Sequence, residues 1–194
     1  MKLSTLLLIM LIALSACNKD LKDGVIVGKL VNVPEGTTLK ITQLDNSQVI
    51  QYIEVNGGRF NWKFTLEEPG LFVISNESAK YDKDRLLIWL ENSKIKIEGD
   101  YNYFTNSIVT GSKSHNTYLI YDSITRKYNK DYSQLRILKS QTTDPKTLDS
   151  ISQAFETILK NYKEAKIDFY TSNLDGKVAL YYLYNQTTMP DFYH

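Results

Sequence analysis

Thiol and imidazole side chains are few in this 194-residue chain: one cysteine, Cys17, and two histidines, His115 and His194. Thiol–disulfide exchange needs an attacking thiolate and a second cysteine, normally spaced Cys-x-x-Cys, so one thiol cannot run it alone. His115 lies in "SKSHN" at the expected start of a helix, where a solvent-facing polar residue is the ordinary reading, and His194 is the terminal residue. Asp82 and Asp84 in "YDKDRL" could chelate a hard cation, but no further carboxylate follows at calcium-loop spacing, so a solvated turn is expected. Glu67-Glu68 ahead of Pro69-Gly70 reads the same way. The sequence contains no Gly-x-Ser-x-Gly elbow, no phosphate-cradling glycine loop and no run of metal ligands. A non-catalytic protein without a cofactor or metal is therefore expected.

Cys17 sits where an apolar run stops and charge begins. A short positive start, Met1-Lys2, is followed by about nine apolar positions from Leu6 to Leu14, too few to cross roughly 30 Å of hydrocarbon. This is the pattern of an export signal over residues 1–16. An ordinary secretory site wants small residues at −3 and −1, and cutting before Cys17 places Leu14 at −3. Cleavage after Ser15, with Ala13 at −3, would leave Cys17 unmodified. The stretch Leu14-Ser15-Ala16-Cys17 resembles instead the lipobox of bacterial lipoproteins, which implies that Cys17 becomes the first mature residue and carries acyl chains such as palmitate. Such a lipid occupies a thiol otherwise open to oxidation or intermolecular pairing. Each buried methylene contributes about 0.8 kcal/mol, so one chain anchors marginally and two or more durably. Residues 17–23 would then tether the folded part within roughly 20 Å of the bilayer. Because Asn18 rather than Asp follows the cysteine, sorting by resemblance favours the outer membrane, and a lipid-anchored place in the cell envelope is expected.

Lys+Arg 23 against Asp+Glu 22 leaves a net charge of +1, which argues against a nucleic-acid partner and against purely electrostatic membrane binding. The membrane partner expected is reached through the N-terminal lipid.

The elements fall into two halves. From Gly24 to about Gly99 apolar and polar residues alternate with period two, in "VIVGKLVN", "TTLKITQL", "QVIQYIEV", "RFNWKFTL", "LFVIS", "RLLIWLE" and "KIKIEGD". Asn56-Gly57-Gly58 between the third and fourth is a strong hairpin signal, because Asn-Gly pairs accept positive φ. Phe60, Trp62, Phe64 and Leu66 share one face of the fourth, and Glu91-Asn92-Ser93 is a tight link between the last two. Six or seven short antiparallel strands favour a sandwich or partly open barrel over residues 24–110. Residues 111–194 read as helical. After the cap pair Asp144-Pro145, apolar or small residues recur at Leu148, Ile151, Phe155, Ile158, Tyr162, Ala165 and Phe169, a 3-4 stripe over some 27 residues. A rougher stripe precedes it at Tyr121, Ile124, Tyr128, Leu135 and Leu138, interrupted by Asp131, and the short link Ser140 to Asp144 predicts an antiparallel pair. A short third helix is expected around Leu174 to Tyr184. The fold class is thus α+β: an antiparallel β domain, a helical hairpin and a third helix.

Taken together, "VIVGKLVN", the Asn-Gly-Gly turn with its aromatic second arm, "LIWLENSKIKIEGD" and "VTGSKSHNTYLIYDSI" resemble the domain of unknown function that precedes a thioredoxin-like domain in many lipoproteins of Gram-negative bacteria. The resemblance implies a β domain ending in a Gly-Ser pair, here Gly111-Ser112, and then a helical connector. It departs in having no Cys-x-x-Cys, so redox catalysis does not carry over. Fourteen tyrosines are the one unusual count. Tyr101 and Tyr103 near the domain junction, with Tyr181 and Tyr182 in the last helix, are candidate contacts to a partner or ligand, set against packing of the β half on the helices. The expected function is a lipid-anchored module that docks a protein partner or positions a thioredoxin-like protein. The alternatives are a small-ligand or glycan binder and the front part of a thiol–disulfide oxidoreductase.

Overall fold

Alternating burial converts the period-two half into eight strands: β1 (Gly24–Val31), β2 (Thr38–Gln43), β3 (Val49–Glu54), β4 (Arg59–Phe64), β5 (Gly70–Asn76), β6 (Arg85–Leu90), β7 (Lys94–Asp100) and β8 (Ile108–Thr110). The computed structural model describes residues 23–76, 79–80 and 82–188; the expected signal segment, Cys17, most of the tether and His194 lie outside the described residues. The strands form two four-stranded sheets, ordered β4-β1-β7-β8 and β3-β2-β5-β6, that face each other as an open sandwich. All pairings are antiparallel except β1 with β7.

The core lies between the sheets. Ile26, Leu30, Ile95 and Ile97 come from one sheet, and Leu39, Ile41, Ile74, Ile88 and Leu90 from the other. Gly24 and Gly28 stand directly opposite Phe64 and Phe60 on β4. The rings lie over the glycines, so a Cβ at Gly28 would fall 2.0 Å from Phe60, and the space that β1 leaves empty is filled by aromatic carbon.

Two links differ from the sequence expectation in the same way. Gly57 and Gly58 take φ of 57° and 74°, and Asn56 and Arg59 exchange backbone hydrogen bonds of 2.9 and 3.0 Å, so the tight turn forms. The ladder then ends after that single pair, because β3 continues in one sheet and β4 in the other. The turn is a sandwich corner and not the start of a hairpin. Glu91-Asn92-Ser93 likewise crosses from β6 to β7 in the opposite sheet, and the described residues hold eight strands, not six or seven.

Among the described residues three α-helices follow: α1 (Lys113–Ser140), α2 (Pro145–Ser172) and α3 (Lys177–Thr188). Asp144 caps α2 by accepting from Thr147 N at 2.9 Å, and Pro145 occupies its first turn, where its missing N–H costs nothing. At 1.5 Å per residue each long helix extends about 42 Å. The stripe from Leu148 to Phe169 is the partly buried seam of α2, and it meets α1 through aromatic stacking, with Tyr128 on Tyr162 at 4.1 Å and Tyr132 on Phe155 at 5.0 Å. Leu138, placed on the α1 stripe by spacing, is 51% exposed. The third helix begins at Lys177, three residues beyond Leu174, after Gly176.

Candidate functional site

The junction between sandwich and helices is built on β6. Its run "RLLIWL" buries Leu86, Ile88 and Leu90 between the sheets and turns Leu87 and Trp89 outward onto the helices. A continuous apolar strand of this kind signals burial on both faces. Trp89 packs with Leu71, Tyr118, Phe169, Tyr170, Val178 and Ala179 in a second core, and Tyr181 approaches its ring edge-on at 5.4 Å.

Backbone and polar groups lock the start of α1 to the same strand. Gly111 enters with φ of 90°, and a Cβ there would lie 2.0 Å from Lys94 O, so the approach needs glycine. The buried Ser112 Oγ donates to Trp89 O at 3.1 Å and accepts from His115 N at 2.9 Å, acting as the N-cap. Glu91 accepts from the Lys113 and Ser114 backbone N–H groups and from Ser114 Oγ at 2.6 Å, placing a carboxylate at the positive end of the helix dipole. Glu91→Ala is expected to lower stability by about 1–2 kcal/mol, seen as a shifted urea midpoint. Glu91→Gln should recover part of that loss, since an amide oxygen still accepts.

His115 is 3% exposed, contrary to the solvent-facing role expected for it. It fills the space between α1 and β6, where Trp89 N donates to its Nδ1 at 3.4 Å. Burial pushes its pKa down to about 4, against a smaller opposing pull from Asp122, so the ring is neutral at pH 7. Accepting at Nδ1 places the remaining proton of the neutral ring on Nε2.

The phenols around it are held protonated. Burial raises Tyr118 to about 12, and Tyr121, Tyr170, Tyr181 and Tyr182 are raised from the same first cause. None of these is a base or nucleophile at neutral pH. Tyr182 stacks on Tyr121 at 4.0 Å, and Trp89 Nε1 is buried without a hydrogen-bond partner of good geometry although the Tyr182 hydroxyl lies near it.

The four tyrosines singled out by sequence are not brought together. Tyr181 and Tyr182 belong to the second core, packing helix on sheet. Tyr101 and the exposed Tyr103 lie in the helical turn Tyr101–Asn106 after β7, where Lys83 Nζ stands 5.9 Å from the Tyr103 ring. Asp82 and Asp84 flank Lys83 in a single turn, and Lys83 pairs with Asp84 at 2.9 Å. Among the described residues no group of three or more His, Cys, Asp and Glu side chains is placed to hold a metal ion, and no helix is long and apolar enough to cross a membrane.

Two of the open concavities among the described residues bear on function. One, of about 560 Å³, lies toward the far end of the hairpin, between Tyr128, Tyr132 and Arg136 on α1 and Phe155, Glu156 and Leu159 on α2. The other, of about 620 Å³, opens where β3 and β4 part into separate sheets, bordered by Gln51, Tyr52, Glu54, Arg59, Asn61 and Trp62. Sequence reasoning missed this cleft because the hairpin expectation paired the strands that border it.

Residues 25–118 match the model of a family described as Domain of unknown function (DUF4369), a span running from β1 through the locked first turns of α1. No curated protein matches the chain.

Proposed function

We propose that this protein is a non-catalytic, lipid-anchored module of the cell envelope that docks a protein partner through its helical hairpin. The observation supporting it is how little of the hairpin is covered. Among the described residues only the α1 start and the α2 end pack on β6 and α3, while Ile137, Leu138, Leu159 and Ile167 are exposed on an aromatic-lined pair. Helical hairpins commonly bury such side chains against further elements, and their exposure supports the docking reading. A thioredoxin-like protein acting in trans is the partner class that the family resemblance brings forward. Charge substitution at Tyr181 or Tyr182 is a poor test, since it would break the second core. Site-specific photocrosslinkers at Leu138 and Leu159 in cells are expected to give one defined protein adduct, absent for a crosslinker at Val27 on the exposed sheet face. Adducts spread equally over all three positions would overturn the reading. The anchor is tested separately by the intact mass of the mature chain, which should carry acyl groups on Cys17.

A second reading is favoured by the cleft between β3 and β4. Tyr52 and Trp62 offer aromatic faces, and Gln51, Asn61, Arg59 and Glu54 offer hydrogen-bonding groups, a combination suited to a glycan. Glycan-dependent thermal stabilisation, lost in Trp62→Ala, would support it.

A further inference from the structure

The net charge of +1 hides a segregation that the strand order creates. In the sheet β4-β1-β7-β8 the inward side chains fill the core, and the outward ones stand in rows across the strands. The rows are Lys63, Val25 and Lys94, then Asn61, Val27 and Lys96, then Arg59, Lys29 and Glu98. All are exposed except the half-buried Val25, so five cations surround two valines against the one carboxylate of Glu98. At about 4.8 Å between strands and 3.3 Å per residue, no two of these cations have Cα positions more than about 17 Å apart. Lys29 stands directly opposite Arg59, a like-charge pairing that costs a sheet stability. Glu98 relieves part of it: Lys96 pairs with it at 2.7 Å and, with Lys29, holds its carboxyl below the usual value. Among the described residues Lys29, Arg59, Lys63 and Lys94 make no ion pair. Asp23 before β1 and Asp100 at the end of β7 border the face, accepting from Thr65 Oγ1 and Asn32 Nδ2, each at 2.8 Å.

We propose that this cationic sheet face lies against an anionic bilayer, so that the chain meets the membrane at two places, through the acyl chains on Cys17 and through the face. Charge complementarity and the course of the chain select an anionic lipid surface as the occupant. β1 starts at Gly24 and carries Val25, Val27 and Lys29, so the strand next to the tether is itself part of the face. A tether of residues 17–23 holds it within roughly 20 Å of the lipid. Such tethering makes the second contact intramolecular, which lets weak charge attraction act without high affinity of its own. Each cation near an anionic leaflet strengthens binding about fivefold. An acidic protein would match the charge but not the position of the anchor. The helices pack on the outer side of the other sheet, through Leu71, Leu87 and Trp89, so this apposition leaves their packing on the far side of the sandwich. The choice of occupant rests on the lipid-anchor reading, whereas the cationic face does not.

The test uses the full chain carrying Cys17→Ser, which has no acyl group, so its result stands apart from the mass test of the anchor. Cosedimentation with vesicles of mixed phosphatidylglycerol and phosphatidylcholine is expected to exceed that with phosphatidylcholine alone, and the excess should vanish in high salt. Lys63→Gln with Lys94→Gln should weaken the excess binding about tenfold or more. Lys130→Gln with Lys146→Gln, an equal loss of charge on the hairpin, should leave it unchanged. All variants share the N-terminal apolar segment, so its own membrane affinity cancels between them. A fluorophore on Val27→Cys should be quenched by nitroxide-headgroup lipid in the mixed vesicles more strongly than one on Ile137→Cys, since both positions are exposed but on different parts of the molecule. Equal binding to neutral and anionic vesicles, equal losses in the two double variants, or equal quenching at the two positions would each overturn the proposal. Binding to polyglutamate with none to the vesicles would also overturn it, in favour of an acidic protein.

Discussion

Replacing Trp89 with alanine is expected to cost about 3–5 kcal/mol, the range for emptying a large buried aromatic site, against a total stability of about 5–15 kcal/mol for a typical domain. Trp89 is 2% exposed and lies in the second core together with residues from all three helices. Its backbone contacts to Ser112 and His115 remain in the variant, so the α1 start stays capped while the packing that seats α1 and α3 on the sheet is lost. A urea titration followed by far- and near-ultraviolet circular dichroism checks this. Coincident midpoints, both lowered, are expected if sandwich and helices unfold as one unit. An earlier loss of helical signal alone would mean that the hairpin detaches first. An unchanged midpoint would contradict the packing described above.

Acid is expected to destabilise the protein through His115. The unfolded chain binds a proton at the ordinary histidine pKa of 6.5, and the folded chain only near 4. Between those values the unfolded state holds more protons, so stability is full above pH 6.5 and falls as pH drops toward 4. At about 1.4 kcal/mol per unit, the loss by pH 4.5 is about 2–3 kcal/mol. His115→Gln, which cannot charge, should show a smaller fall over the same window, as read from urea midpoints at pH 7 and pH 4.5. The lowered carboxyls of Glu98, held by Lys96, and Asp144, held by Thr147, are lost only as pH falls below their ordinary values of 4.5 and 3.8, so they act at the acid end of this range and beyond it. Equal pH dependence in the two chains would remove His115 as the cause.

Local periodicity carried much of this architecture. The α2 seam from Leu148 to Phe169 and the Asp144 cap follow from spacing and side-chain type, because a helix satisfies its backbone within itself. The strands were legible for the same reason, as their alternation is local. Their partners were not. Asn56-Gly57-Gly58 specifies a turn and cannot specify whether the two arms stay paired, a choice made by where β2 and β1 lie. His115 illustrates the point at one residue: its position near a helix start is polar in any isolated helix, and it becomes buried only because β6, more than twenty residues earlier, presents Trp89 to it. Tyr181 and Tyr182 were identifiable as a concentration of rings, and their role in packing became visible only once Trp89 was known to face outward.

The grip of Ser112 and Glu91 on the first turn of α1 makes the hairpin a lever arm with its fulcrum on β6. A tilt of about 10° at that fulcrum would carry the tip of a 28-residue helix sideways by roughly 7 Å. Because Glu91-Asn92-Ser93 also ties the two sheets together, a load applied far out on the helices is delivered to the strand crossing that holds the sandwich shut.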